Sequence, residues 1–311
     1  MGQLSGRSDP ATDAHWNEPP ARKGFFTDTS ICIGCKACEV ACKEWNHNPV
    51  ESDQHGGLRI LGSSYDNTGA LGASSWRHVA FIEQDRDRIE QARETGRRLV
   101  GLGMPGFGAP AATGPGAGLQ DMPGPVAPLD ITPPDTPEFR WLMASDVCKH
   151  CTHAGCLDVC PTGALFRTEF GTVVVQDDVC NGCGTCVAGC PFGVIERRAD
   201  GTVQTPAERD GTPAAGTRAE RNGRKSKRSN VPKVGIAQKC TLCYDRLLDG
   251  QAPACAKTCP TTSIRFGDRD EMVSAARQRV AELHKAGMTE ARLYGANDND
   301  GVGGIGSVFL L

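Results

Sequence analysis

The sixteen cysteines of this chain fall into four groups of four, and no cysteine lies outside them. The groups are Cys32, Cys35, Cys38 and Cys42; Cys148, Cys151, Cys156 and Cys160; Cys180, Cys183, Cys186 and Cys190; and Cys240, Cys243, Cys255 and Cys259. Each begins with a C-x-x-C step, and in the last three a proline follows the fourth cysteine. In such loops three thiolates hold one 4Fe-4S cluster and the fourth cysteine reaches the neighbouring cluster. The pattern predicts four 4Fe-4S clusters in two pairs.

Two other cysteine-rich classes fit the pattern less well. A zinc ribbon joins two separate C-x-x-C knuckles around one ion and does not need the further cysteines of these groups. A disulfide scaffold is usually short and secreted, whereas this chain has 311 residues and its first 24 contain no apolar signal segment. A zinc scaffold stays an alternative that sulfide analysis would exclude.

The composition indicates how much apolar core the chain can form. The hydrophobic fraction is 39% and the aromatic fraction 5%, so we expect bound clusters to substitute for part of an apolar core. The formal charge of −3 favours neither nucleic acid nor an acidic partner. Some lysines beside the cysteines are candidates to offset thiolate charge, or else are solvated loop residues: Lys36, Lys43, Lys149, Lys239 and Lys257.

The pairing of the groups follows from the segments between them. Two short apolar runs flank Glu169-Phe170-Gly171 and predict a β-hairpin of the kind that links the two cluster loops of a ferredoxin. The second and third groups then form one unit, residues 138–195. By elimination the first and fourth groups form the other, residues 24–83 plus 236–311. Residues 84–137 and 196–235 are expected to be loop insertions.

The cross-over rule assigns the fourth cysteine of each group to its partner group's cluster. We name the four predicted ligand sets A to D. They are set A, Cys32, Cys35, Cys38 and Cys259; set B, Cys240, Cys243, Cys255 and Cys42; set C, Cys148, Cys151, Cys156 and Cys190; and set D, Cys180, Cys183, Cys186 and Cys160.

The predicted fold class is α+β, with two ferredoxin-like dicluster units, the second nested within the first, long irregular loops and a C-terminal helix. The run SIRFG predicts a strand. A capping-box-like start at 268–271 and apolar residues at helical spacing then predict a helix that Gly287 ends, with a core face of Met272, Val273, Ala276, Val280 and Leu283.

Two stretches are unlike core sequence. Residues 101–137 are rich in Gly and Pro and predict a linker or surface loop. Residues 196–230 are polar, and Arg218 to Arg228 carries a basic run that is either a docking patch or a solvated loop. We expect both stretches to be peripheral.

Several segments together resemble one family, the iron-sulfur (beta) subunits of molybdenum- or tungsten-dependent formate dehydrogenases. They are GFFTDTSICIGCKACEVACKEWN (24–46), SYDNTGALGASSWRHVAF (64–81), KHCTHAGCLDVCPTGAL (149–165), CNGCGTCVAGCPFGV (180–194), KCTLCYDRLLDGQAPACAKTCPT (239–261), IRFGDRDEM (264–272) and RLYGANDNDGVGGIGSVFLL (292–311). The stretches 101–137 and 196–230 depart from the family by their length.

The resemblance implies an electron-transfer subunit that accepts electrons from a molybdopterin catalytic subunit and passes them to an unidentified acceptor. The similar subunits of nitrate, thiosulfate or polysulfide, and dimethyl sulfoxide reductases stay alternatives, as does a free-standing polyferredoxin shuttle. No catalytic residue is predicted, because the seven histidines form no spaced ligand set and the one match to a Gly-rich fingerprint lies in a proline-rich run.

The resemblance also bears on location. Membrane-bound relatives continue into a transmembrane helix, whereas the final apolar stretch here is shorter than the ~20 residues of a span. We therefore expect no transmembrane segment and a cytoplasmic location, with co-export beside a partner as the alternative.

Overall fold

The computed structural model describes residues 9–49, 66, 68–101, 138–198, 235–299 and 301–311. The helices are α1 (Pro10–Asp13), α2 (Ala37–Asn46), α3 (Arg86–Gly101), α4 (Gly155–Asp158), α5 (Thr185–Ala188), α6 (Tyr244–Leu248), α7 (Ala254–Lys257) and α8 (Arg269–Lys285). The strands are β1 (Lys23–Asp28), β2 (Arg77–Asp85), β3 (Phe139–Val147), β4 (Leu165–Arg167), β5 (Val173–Val175), β6 (Glu196–Arg197), β7 (Ala237–Gln238), β8 (Ile264–Asp268), β9 (Leu293–Tyr294) and β10 (Ser307–Leu310).

A four-stranded sheet brings distant parts of the chain together, in the order β8-β1-β10-β9. Strand β1 is antiparallel to β8 and parallel to β10, so that Phe25 pairs with both Phe266 and Ser307. Because side chains alternate along a strand, the two faces of the sheet bury different residues. Phe25 packs in the cysteine-rich core, and Phe26 packs in a second core beneath α8.

Helix α8 confirms the C-terminal helix that the sequence predicts. Its predicted core face is buried, namely Met272, Val273, Ala276, Val280 and Leu283. It ends before Gly287, whose φ of +86° lets the Met288 N–H donate to the Leu283 carbonyl at 2.9 Å. The expected capping box is wrong, because the Asp268 side chain does not cap the helix. It accepts a hydrogen bond from Lys23 Nζ at 2.5 Å instead.

The predicted hairpin between the second and third cysteine groups is present. Strand β4 pairs antiparallel with β5, and Leu165 lies opposite Val175. The turn closes through the Thr168 N–H, which donates to the Thr172 carbonyl at 2.9 Å, and Gly171 has a φ of +73° that favours glycine.

The segment expected to be a loop from residue 84 begins instead with regular structure. Strand β2 runs to Asp85 and α3 occupies the next sixteen residues. Ile89 of α3 is buried, and the Arg93 carbonyl accepts a hydrogen bond from Thr289 Oγ1 at 3.1 Å. Good helix formers and this packing outweigh the charged character of the segment.

A nine-residue ladder joins β2 to β3, from Arg77 opposite Val147 to Asp85 opposite Phe139. The ladder joins the predicted unit 24–83 plus 236–311 to the predicted unit 138–195. Similarly, β6 pairs with β7, so the expected insertion 196–235 starts with a short ladder. Most of the Gly/Pro-rich stretch 101–137 and of the basic stretch 196–230, including Arg218 to Arg228, lies outside the described residues.

Among the described residues, no helix combines the length and the apolar character that a membrane span requires.

Candidate iron-sulfur cluster sites

The four thiols of set A line one cavity. Three of them come from the loop before α2 and the start of that helix, and Cys259 follows α7. Gly34 shapes the loop with a φ of +66°, and a Cβ there would lie 2.9 Å from Met143 Cγ. The loop therefore needs glycine both for its backbone conformation and for its close approach to β3.

The four thiols of set C line a similar cavity. Cys148 and Cys151 lie in the loop after β3, Cys156 in α4, and Cys190 follows α5. In both cavities the fourth thiol comes from a group distant in sequence and is followed by a proline that lines the same cavity, Pro260 or Pro191.

The thiols of sets B and D are close enough to shift one another's pKa. Burial raises the pKa of Cys42 well above its usual value, and the neighbouring thiols of Cys240, Cys255 and Cys243 raise it further. Burial likewise raises the pKa of Cys186, with further contributions from Cys180, Cys160 and Cys183. Thus Cys42 lies beside group four, and Cys160 lies beside group three.

The donor chemistry of these sites fits an iron-sulfur cluster. All sixteen thiols are free of disulfides. Burial and neighbouring thiols raise the pKa of Cys243 and that of Cys151 each to about 12. Four thiolates packed together in a poorly hydrated site repel one another, so they need a cationic centre. Iron bound by soft sulfur ligands supplies that charge.

The sites follow one another in a defined spatial order. Thiols of neighbouring sets perturb each other's pKa at three places: Cys255 of set B acts on Cys38 of set A, Cys148 of set C acts on Cys240 of set B, and Cys186 of set D acts on Cys156 of set C. The order is therefore A, B, C, D. All four thiols of set B are buried, whereas Cys35 of set A and Cys183 of set D are exposed.

Two of the five lysines singled out in the sequence are buried at these sites, Lys149 and Lys239. Lys239 Nζ donates to the carbonyls of Val173 and Cys240, and its charge lowers the pKa of Cys156, which burial raises to about 11. Lys36 forms ion pairs with Asp66 and Glu39, at 3.2 and 3.6 Å. Lys257 is exposed and Lys43 half-buried, as expected for loop and helix surface.

Sequence reasoning missed three arginines. Arg77, Arg167 and Arg22 each lie near cysteine thiols. Arg167 donates to the carbonyls of Cys151 and Thr152, at 2.9 and 2.8 Å. Arg22 donates to the carbonyl of His150 and the hydroxyl of Thr152, both at 2.8 Å. These hydrogen bonds hold the backbone of the set C loop.

The N-terminal segment also contributes, which the sequence did not indicate. Trp16 Nε1 donates to the Arg167 carbonyl at 2.8 Å. Residues 9–22 thereby contact the segment that supports the set C loop. The lone signal was Trp16 itself, a large aromatic side chain in an otherwise polar stretch.

The site geometry leads to a stoichiometric prediction. If each set binds one cubane, the purified chain will contain about sixteen iron and about sixteen sulfide. Anaerobic iron and acid-labile sulfide analysis measures both, with total protein from amino-acid analysis. About four zinc ions per chain without sulfide would contradict cluster binding and support the zinc scaffold.

Comparison with known families agrees with this chemistry. A family described as "4Fe-4S dicluster domain" matches residues 139–207 and 225–269. A second family with the same description matches residues 31–164. Together the two matches include all four cysteine groups, which supports four 4Fe-4S clusters.

Individual relatives carry iron-sulfur subunit names. The formate dehydrogenase iron-sulfur subunit of Haemophilus influenzae is 34% identical over 91% of this chain and 62% of its own length. The formate dehydrogenase-O iron-sulfur subunit of Escherichia coli is 32% identical over 91% of this chain and 65% of its own. The arsenate respiratory reductase iron-sulfur subunit of a Shewanella species is 33% identical over 48% of this chain and 70% of its own.

The chain spans a little under two thirds of the two formate dehydrogenase subunits and more than two thirds of the arsenate reductase subunit. The cysteine spacing, the clustering of the thiols and these similarities agree. The chain therefore belongs to the family of 4Fe-4S dicluster iron-sulfur subunits that includes those of formate dehydrogenases and of arsenate respiratory reductase.

Proposed function

We propose that this chain is the electron-transfer subunit of a formate dehydrogenase complex and holds four 4Fe-4S clusters in sets A to D. One observation carries the proposal above all: each set of thiols lies near a thiol of the next set, in the order A, B, C, D. Sets A and D, the first and last in this order, each include an exposed cysteine, whereas all four cysteines of set B are buried. That arrangement suits a conductor that receives electrons at one surface and releases them at another.

The proposed ligand sets imply two nested units. Sets A and B take their thiols from the first and fourth groups, within residues 24–83 and 236–311, and sets C and D from residues 138–195. The pairing of β1 with both β8 and β10 supports the assignment, because it holds the early and late segments together.

A 4Fe-4S cluster supplies reversible one-electron storage at a potential that its surroundings set. The residues of this chain determine those surroundings. Lys239 places positive charge beside Cys156 and Cys240. Arg167 donates a hydrogen bond to a backbone carbonyl of the set C loop. Burial keeps the thiols of set B from water. We assign no catalytic residue to the chain.

Formate is the proposed substrate of the complex, and a molybdopterin subunit with molybdenum or tungsten is the proposed catalytic partner. The similarity to two formate dehydrogenase subunits over 91% of the chain supports this choice. The acceptor subunit or carrier is unidentified. A second candidate, the equivalent subunit of another reductase, is favoured by the arsenate reductase relative, of which the chain covers 70%. We propose a cytoplasmic location, with export beside a partner as the alternative.

The test is delivery of electrons from substrate to this chain. In the reconstituted complex, formate should reduce the clusters and generate their electron paramagnetic resonance (EPR) signals. The isolated chain with formate, and the catalytic subunit alone, are the controls, and neither should show these signals. Nitrate, thiosulfate, dimethyl sulfoxide and arsenate should be assayed beside formate as oxidants of the dithionite-reduced complex. If the complex reduces one of these oxidants but does not oxidise formate, the electron-transfer role is supported and formate is refuted as the substrate.

A further inference from the structure

Arg77 is a buried cation between two of the cluster sites. It is the first residue of β2 and is only 1% exposed. Its Nη1 donates to the carbonyl and the hydroxyl oxygen of Ser145, both at 3.2 Å. The guanidinium carbon lies 4.8 Å from the ring centroid of Phe25. Its Nε and Nη2 are buried and have no hydrogen-bond partner among the residues that the structure describes.

A buried charge with two nitrogens that lack hydrogen-bond acceptors is costly unless a negative group lies close by. The negative groups that act most on Arg77 are four thiols, Cys255, Cys38, Cys240 and Cys42. They raise its pKa although burial lowers it, so the guanidinium stays charged. Cys38 belongs to set A, and the other three belong to set B.

The hydroxyl of Ser145 extends this contact toward set A. Ser145 Oγ lies 3.2 Å from Cys38 Sγ and accepts the Nη1 hydrogen bond. Other cations near these sets have different partners. Lys239 Nζ donates to the backbone carbonyls of Val173 and Cys240. Lys36, which lines the set A cavity, is engaged by two carboxylates. Arg246 lies near Cys243, and its guanidinium carbon stacks 4.2 Å from the ring centroid of Trp45.

We propose that Arg77 is a positioning residue for electron transfer: its charge and its two unpaired nitrogens, Nε and Nη2, stabilise added negative charge on the clusters of both set A and set B. The inference rests on the proposed four-cluster function. A positive charge favours the reduced state of each neighbouring cluster, so Arg77 raises both potentials together. It keeps the buried cluster of set B accessible to electrons from set A.

The first experiment is an EPR-monitored redox titration of the holoprotein. Arg77→Gln removes the charge and retains a side chain able to hydrogen-bond to Ser145. We expect the reduction equilibrium constants of clusters A and B to fall at least tenfold, which is 59 mV for a one-electron couple. Those of clusters C and D should not change. Arg77→Lys keeps the charge and should shift A and B much less. Signals are assigned with Cys259→Ser for A, Cys42→Ser for B, Cys190→Ser for C and Cys160→Ser for D.

A matched control is Arg93→Gln. Arg93 is also buried, but its guanidinium pairs with Glu290, with Nε at 3.4 Å from Oε1. Loss of this arginine should leave all four potentials unchanged. Equal shifts in the Arg93 and Arg77 variants would mean that any buried arginine acts through the fold, which would refute the proposal.

A second measurement does not depend on the folding of Arg77→Gln. With ¹⁵N-labelled arginine, pulsed EPR of the reduced protein should detect guanidinium nitrogen coupled to clusters A and B. The decisive signal is that of cluster A, because a second arginine, Arg246, lies near Cys243 of set B. Arg77→Lys should abolish the coupling of arginine nitrogen to cluster A. Wild-type protein without four clusters would refute the proposed function itself. Four clusters with no arginine coupling at A, or with unshifted potentials in Arg77→Gln, would refute only the role of Arg77.

Discussion

Replacing Cys42 with serine is expected to disrupt the cluster of set B, which takes its other thiols from residues 240–255, and to spare that of set A. Cys42 and Cys38 lie four residues apart on α2, about 6 Å along the helix axis. One turn of helix thus separates the thiol that lines the set A cavity from the thiol beside Cys240, Cys243 and Cys255. A serine at position 42 replaces a soft thiolate by a poor ligand for iron.

The measurement is iron content together with the EPR spectrum of the reduced protein. We expect Cys42→Ser to lose about a quarter of the iron, or to lose one iron from one cluster, with the signal of set B altered. Cys259→Ser is the matched variant and should affect set A alone. If Cys42→Ser instead changes only the cluster of Cys32, Cys35 and Cys38, the exchange of fourth ligands between groups is wrong.

Removing iron and sulfide from the chain is expected to unfold the cysteine-rich core. That core includes Cys38, Cys148, Cys186, Cys240 and Cys255 among its buried members. A structural zinc ion contributes about 10–16 kcal/mol to the folding of a zinc-finger peptide, as much as the ~5–15 kcal/mol net stability of a typical domain. Several clusters in one core therefore outweigh the apolar contacts that would remain without them.

The second core, beneath α8, should respond differently. It consists of aliphatic and aromatic side chains with no cysteine among its buried members, including Phe26, Met272 and Val308. Hydrogen exchange of chelator-treated protein under reducing conditions should show early loss of protection at residues 148–195 and longer protection in α8. Uniform protection equal to that of the holoprotein would show that the fold does not depend on its clusters.

The local elements of this fold were predictable because their signals are contiguous in sequence. The hairpin β4–β5 is marked by apolar runs around 169–171, and α8 by the spacing of Met272 to Leu283. Helix α3 was not predicted because its sequence shows little apolar periodicity. Away from its C-terminal end, Ile89 is its one fully buried apolar residue, and a single such position does not distinguish a helix from a charged loop. Its packing partner, Thr289, is far away in sequence.

The positive charges of the site were predictable only in part. Lys149 and Lys239 adjoin cysteines in sequence, and both are buried as the counter-charge argument requires. Arg77 lies far from every cysteine in the sequence, so no cysteine motif marks it. It begins a strand, and a charged residue in a strand is ordinarily expected on the solvent side of the sheet. Its burial depends on thiols from the first and fourth groups meeting beside it, which only the tertiary structure reveals.

The position of β10 in the sheet has a consequence for how the protein is made. Strand β1 is synthesised well before β10, yet the Thr29 hydroxyl that follows it donates to the Leu310 carbonyl, 281 residues later. The thiols of sets C and D all lie within residues 148–190 and are available long before Cys240 is synthesised. As the chain grows, sets C and D can therefore be completed first. Sets A and B can be completed only after residues 240–259 have been synthesised, and until then the three thiols of residues 32–38 lack their fourth ligand, Cys259.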